Sequence, residues 1–209
     1  MAKVSKITVS VTIIAVCVIV ISSINLVKAM QRPDPAKSAL ARIKGNPAAP
    51  IHIVEFVDFQ CGYCAQGAKD LREILKQHPN DIRLELRYFP LTSHVHGFTS
   101  ARYAECAAQQ EKFWPFEERL FENQQKWSGL VNPAPVFESL AKESNLDVPR
   151  LKACLQDKTI DEIIKTSRDE GSALGVKSTP TYFVNGKIAV GTNLLNQELA
   201  VFFNHAKQN

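Results

Sequence analysis

Residues 51–59, IHIVEFVDF, are apolar and β-branched for most of their length and run almost directly into a CGYC motif, Cys61 to Cys64. A short, nearly continuous apolar run of this kind reads as a strand covered on both faces, the mark of a layered α/β fold. A helix is expected from Cys61 or Gly62 to about Gln77, where HPND breaks it. IRLELRYF (82–89) alternates as a second strand. From Pro90 to about Asp157 the pattern is helical without a clear strand, and another helix covers roughly 160–174. In TPTYFVNGKIAV (179–190), Asn185-Gly186 between apolar runs signals a hairpin. NQELAVFFNHAK closes the chain as an amphipathic helix. The predicted order is β-α-β, a helical block, a helix, a β-hairpin and a helix.

The N-terminus has a different character. Lys3 and Lys6 precede an uncharged apolar run from Ile7 to Ile21, the pattern of an export signal. Val27-Lys28-Ala29 offers a cleavage site, yet the uncharged stretch continues to Val27, and about 20 such residues span a bilayer. Residues 1–29 are therefore expected to be either a signal peptide or a membrane anchor through 7–27. Both place the remainder outside the cytoplasm, in a bacterial periplasm or on the outer face of the membrane. This segment also accounts for most of the +4 charge: the chain's 25 basic residues, less Lys3, Lys6 and Lys28, leave 22 against 21 acids. A balance of that kind gives no nucleic-acid footprint. The proline-rich stretch 30–49 reads as a linker.

Export makes the cysteine count informative. Cys17 lies in the apolar segment, leaving Cys61, Cys64, Cys106 and Cys154, an even number that allows three pairings. If a helix begins at CGYC, Cys61 meets unpaired backbone N–H groups and the positive helix end, both of which favour a thiolate. Cys64 is almost one turn on, on the same face and deeper. Such a pair can exchange a disulfide through a mixed-disulfide intermediate that Cys61 makes and Cys64 resolves. The competing chemistry is a metal site, in which Cys61 and Cys64 join His94 or His96 of the SHVH stretch to hold zinc or copper. A purely structural Cys61–Cys64 bridge closes too small a loop to stabilise much.

VEFVDFQCGYC, FPLTSHVHGFTSARYAECAAQQEKFWPFEERLF and GVKSTPTYFVNG, in this order, resemble the DsbA-like thiol–disulfide oxidoreductases of the thioredoxin superfamily. The resemblance runs from about Asn46 to the end of the chain. It implies a thioredoxin domain in two parts, 50–89 and 159–209, interrupted by a helical insertion at 90–158. It further implies that Cys61 is the exposed nucleophile and Cys64 the resolving cysteine. Pro180 would be the cis-proline of the loop facing them, with Thr179 pairing through its backbone with an extended substrate. Glu55, six residues before Cys61, stands where many members carry a glutamate that relays a proton to the resolving cysteine. Burial there would raise its pKa. Asp58 is expected to serve the turn or the helix start. Cys106 and Cys154 would bridge two insertion helices, and Trp114 and Phe116 would pack in the insertion core.

The family's chemistry needs no cofactor or metal. Its partners are cysteine-containing exported proteins and a membrane redox protein that resets the dithiol, and a monomer is expected. Gly62 and Tyr63 replace the proline and histidine of the strongly oxidising prototype, so a less oxidising couple is implied. CGYC followed by threonine before the cis-proline also occurs in dimeric disulfide isomerases. Their large N-terminal dimerisation domain has no counterpart in the short linker here. A disulfide-forming oxidase is the first reading, an isomerase or reductase the second. A thioredoxin-fold copper or zinc module is the alternative of another class.

Overall fold

The structure is a computed structural model and describes residues 15–23 and 33–206. Residues 15–23 form helix, with Val16, Val18, Ile19, Val20 and Ile21 exposed. The remainder of the expected export segment lies outside the described residues. Among the described residues no helix is long and apolar enough to cross a membrane.

From Pro33 onward the chain forms a mixed five-stranded sheet flanked by helices. Its strands are β1 (Ile43–Gly45), β2 (Ile51–Val57), β3 (Ile82–Tyr88), β4 (Thr181–Val184) and β5 (Lys187–Val190). They lie in the order β1-β3-β2-β4-β5. β2 and β3 are parallel, with Ile53 opposite Leu84, and the remaining pairs are antiparallel. The β2–β3 crossover is a helix, as a parallel pair requires. Asn185 and Gly186 both have positive φ, 47° and 85°, which suits the tight β4–β5 turn.

The helices are α1 (Pro35–Ala41), α2 (Gly62–Gln77), α3 (Gly97–Ala108), α4 (Phe113–Glu122), α5 (Gln124–Trp127), α6 (Ala134–Glu143), α7 (Val148–Cys154), α8 (Lys158–Ala173) and α9 (Gly191–Ala206). α3 to α7 make up the insertion. The two larger apolar clusters pack against the sheet. The larger joins Phe59 and Tyr88 to Phe113, Phe116, Trp127 and Phe137 of the insertion, so insertion and sheet share one core. The other packs Leu71 of α2 and Leu195 and Leu199 of α9 on Ile51, Ile53, Ile82, Leu84 and Tyr182.

The stretch read as a linker carries a helix and a strand. Asp34 caps α1 by accepting from the N–H groups of Ala36 and Lys37, and Pro35 occupies the first helical turn. An Asp-Pro start is a helix signal as much as a loop signal. β1 then pairs with the outer edge of β3. Gly45, at φ +93°, passes so close to the Ile82 carbonyl that no side chain would fit. Arg42, just beyond α1, joins the insertion through a 3.0 Å ion pair with the fully buried Glu105, which also accepts from the Tyr88 hydroxyl at 3.0 Å.

Two expectations need correction in detail. β2 is half-buried rather than fully buried at His52 and Val54. Trp114 is not wholly in the insertion core. It is half-buried on the seam, its indole N–H donating to the Ile43 carbonyl at 3.3 Å, whereas Phe116 is fully buried.

Candidate active site

Cys61 is the N-cap of α2, with extended backbone (φ −75°, ψ 121°) and no side-chain cap. Its N–H donates to the Asp58 carbonyl, and its own carbonyl accepts from Cys64 and Ala65, so the turn winds directly into the helix. Its sulfur therefore lies beside the free N–H groups of the first helical turn. Cys64, one turn deeper, is fully buried, and Cys61 is 6 % exposed. Neither is disulfide-bonded in this structure.

The Thr179–Pro180 bond is cis, and the Thr179 carbonyl accepts from the Cys61 thiol at 3.3 Å. The Thr179 hydroxyl is buried without a fully formed hydrogen bond, yet close enough to both sulfurs to favour their ionised forms. Cys61 is lowered from 9.0 to about 5. The largest cause is hydrogen bonding from the Cys64 thiol. Burial opposes it, and Thr179 and the N–H groups of Cys64 and Tyr63 assist. Cys64 moves well up, driven first by burial and then by the hydrogen bond and charge of Cys61. One sulfur is thus held as a thiolate and the other as a thiol.

Glu55 on β2 is 2 % exposed, and burial raises its carboxyl to about 8, assisted by the charge of Glu117. Its cross-strand partner is Tyr182 of β4. The Tyr182 hydroxyl opposes the Glu55 shift, although neither it nor Glu55 Oε1 has a well-formed hydrogen bond. Burial drives Tyr182 itself upward, followed by the charges of Glu55 and Cys64, so this hydroxyl is within electrostatic reach of both. It occupies a notch left by the missing side chain of Gly67, one turn beyond Cys64.

Asp58 does more than shape the turn. Its fully buried carboxylate accepts from the N–H groups of Gln60 and Leu91, each at 2.7 Å, and meets His94 Nδ1 at 2.8 Å. His96 Nε2 donates to the Leu130 carbonyl at 2.6 Å. Both imidazoles thus hold loops instead of joining the sulfurs, and the described residues bring together no cluster of three or more metal-ligating side chains.

Sequence reasoning missed two clamps. The Gln124 amide donates to the carbonyls of Phe59 and Cys61 at 2.8 and 3.0 Å. Gln60 donates to the Ser128 carbonyl and accepts from the His96 N–H. Both tie the active-site turn to the insertion, and glutamine carries no local pattern that announces such a role. Tyr63, Val95, Leu130 and Val131 are exposed apolar residues on the CGYC turn and on the loops tied to it. Cys106 of α3 and Cys154 of α7 are disulfide-bonded, with Cα atoms 5.8 Å apart.

A split sheet, a helical insertion and a helix-start dithiol facing a cis-proline together define the DsbA-like form of the thioredoxin fold. The chain belongs to the thioredoxin family, whose profile matches residues 38–199. It is similar to BdbD from Bacillus subtilis, solved in its oxidised form, at 24 % identity and a TM-score of 0.66 over 76 % of this chain and 90 % of that one. DsbA from Chlamydia trachomatis gives 18 % identity and a TM-score of 0.66 over 78 % and 91 % of the two chains. Likenesses at this identity establish the fold. Over 167 residues the chain is 31 % identical to a Na(+)/H(+) antiporter, NhaA 3, of Salinispora tropica, a match covering 79 % of this chain and 24 % of the antiporter. The chain spans about a quarter of the length of the curated relatives it matches.

Proposed function

We propose that this chain is a protein thiol–disulfide oxidoreductase that donates its Cys61–Cys64 disulfide to cysteines of extracytoplasmic proteins. In this reading a substrate thiolate attacks Cys61 Sγ, the S–S bond breaks, and its electron pair leaves on Cys64. Glu55 supplies the proton that Cys64 needs. A second substrate thiolate then attacks its own sulfur in the mixed disulfide and expels Cys61 as a thiolate. Two substrate thiols are oxidised and one protein disulfide is reduced; a membrane redox partner reverses the protein half. Thr179 offers its backbone to an extended substrate segment, Pro180 adds no competing N–H, and the exposed apolar residues around CGYC flank that path.

The observation that carries the oxidase reading is the Cys61 thiolate. A leaving group held near pKa 5 favours the reduced protein and makes its disulfide a better oxidant. At pH 7 the lowering is worth at most about 3 kcal/mol, or roughly 60 mV, before solvent screening of the sulfur reduces it. The Cys106–Cys154 bridge supports an oxidising compartment. The ion exchange named for the NhaA relatives is not carried over, because the match covers a quarter of those proteins.

The test is equilibration of the dithiol in glutathione buffers, with Cys61→Ser as control. A potential above that of the glutathione pool supports disulfide donation. A strongly reducing value would turn the assignment to a reductase.

A further inference from the structure

Two buried carboxyl groups from different parts of the chain line one small cavity. Glu55 comes from the central strand, and Glu117, 4 % exposed, from α4 of the insertion. The cavity holds about 10 Å³ of water-accessible space, room for about one molecule, and is lined by Lys44, Glu55, Ala68, Arg72, Trp114 and Glu117 among others. Two polar side chains of its lining are left with unpaired atoms. Glu55 Oε1 is buried without a hydrogen bond, and Arg72 Nη1, also buried, stays 3.6 Å from Glu117 Oε2, beyond hydrogen-bond range. Burying such groups without partners is costly, and a bridging water relieves that cost.

We propose that Glu117 is the outer carboxyl of a proton store built across the seam between sheet and insertion, joined through one water to Glu55. The proposal rests on the thiol–disulfide reading. When a substrate opens the Cys61–Cys64 disulfide, Glu55 gives its proton to the Cys64 thiolate. Glu117 replaces it through the water and is itself refilled from solvent at the Lys44 side, where the lysine is exposed. Disulfide formation runs the same path in reverse. No further co-reactant is needed, because each step moves one proton.

The charges around the pair suit this role. Glu55 faces Glu117 from α4 and Tyr182 from β4, and Tyr182 in turn feels the charge of Cys64 on α2. Glu117 faces Arg72 from α2 and Lys44 from β1, which lower it, and Glu118 and Glu122 of its own helix, which raise it. Burial outweighs the cations and leaves Glu117 near 7, just below Glu55 near 8. Close to neutrality, then, the inner carboxyl is mostly filled and the outer one about half filled. An Arg72–Glu117 ion pair with a purely structural role would need no second buried carboxyl on the same cavity.

The experiment is Glu117→Gln in the full chain, with two readouts from pH 5 to 9. One is the Glu55 side-chain carbon resonance in carboxyl-labelled protein; the other is the rate at which dithiothreitol reduces the oxidised protein. Loss of the neighbouring charge should move the Glu55 midpoint down by about one pH unit. Reduction should slow three- to tenfold near pH 8 and hardly at all near pH 5. If the Glu55 midpoint stays in place, or reduction slows equally at every pH, the store does not exist. Arg72→Gln guards against a folding defect in the first variant, since removing that cation should raise the Glu117 midpoint. An unmoved Glu117 midpoint there would also overturn the proposal. A wild-type protein with no dithiothreitol-reducible Cys61–Cys64 pair would instead defeat the thiol–disulfide reading, and the carboxyl titration would still be readable.

Discussion

Gly67 and Tyr182 form a lock whose strength can be worked out from the structure. Gly67 lies inside α2, where alanine would ordinarily gain about 1 kcal/mol of helix stability. Yet a Cβ at this position lands on the Tyr182 hydroxyl and lies 3.2 Å from Thr192 Cγ2. Tyr182 is fully buried and packs with Leu71 of α2 and Leu195 of α9, so a shift of its ring disturbs a filled core. Overpacking of this kind costs about 1–3 kcal/mol, so Gly67→Ala should lose on the order of 1 kcal/mol net despite the better helix former. Tyr182→Phe removes the clashing oxygen, which has no well-formed hydrogen bond, and should be nearly neutral alone. In the double variant the clash with the hydroxyl vanishes, only the 3.2 Å approach to Thr192 Cγ2 remains, and the helix gain is kept, so its stability should come close to wild type or exceed it. The coupling between the two sites should be about 1–3 kcal/mol. Urea unfolding of the four reduced proteins, compared at equal m-values, measures it. Gly67→Ala at least as stable as wild type, or a coupling below about 0.5 kcal/mol, would refute the argument that the hydroxyl fills the notch.

The remaining predictions concern the sulfurs. Cys61 is depressed in the folded protein from 9.0 to about 5, so its contribution to the reduced form is full above about pH 9 and lost as pH falls through 5. Glu55, raised from 4.5 to about 8, works in the opposite direction, which is why the reduced and oxidised proteins are compared with each other. The stability of the reduced protein relative to the oxidised one should therefore climb between pH 5 and 9, by no more than about 1.4 kcal/mol per pH unit. Paired denaturation curves check this, and a flat difference would contradict the Cys61 thiolate. Replacing Cys106 and Cys154 together by alanine opens a loop of sequence separation 48 and should lower stability by up to about 4 kcal/mol. Thermal unfolding reads that loss, while the rate of Cys61 alkylation should remain within about twofold of wild type, because reactivity follows the local thiolate fraction.

Much of this fold was legible because its signals are local. IHIVEFVDF and IRLELRYF carry the strand pattern in their own side chains, CGYC follows the first at the distance of a tight turn, and Asn185-Gly186 can hardly be anything but a hairpin. The 30–49 stretch misled for a local reason too. Proline and alanine there count toward a linker, although Asp34-Pro35 is also a helix start. Helix α9 begins at Gly191, five residues before the amphipathic pattern becomes clear at Asn196. The resemblance puts Trp114 in the insertion core, whereas the seam with β1 decides its surroundings.

By itself the sequence determined the elements, their order and the presence of a dithiol at a helix start, since strand and helix periodicity and turn chemistry are properties of neighbouring residues. Only the tertiary structure decided which polar groups meet. Gln124 reaches the Cys61 carbonyl across 63 positions, Asp58 holds His94 across 36, and Glu117 crosses from the insertion to the cavity of Glu55. The ionisation of Cys61, Cys64, Glu55 and Glu117 was decided there as well. Burial and the nearest charge govern whether an acid keeps its proton, and both are created only when distant segments pack together.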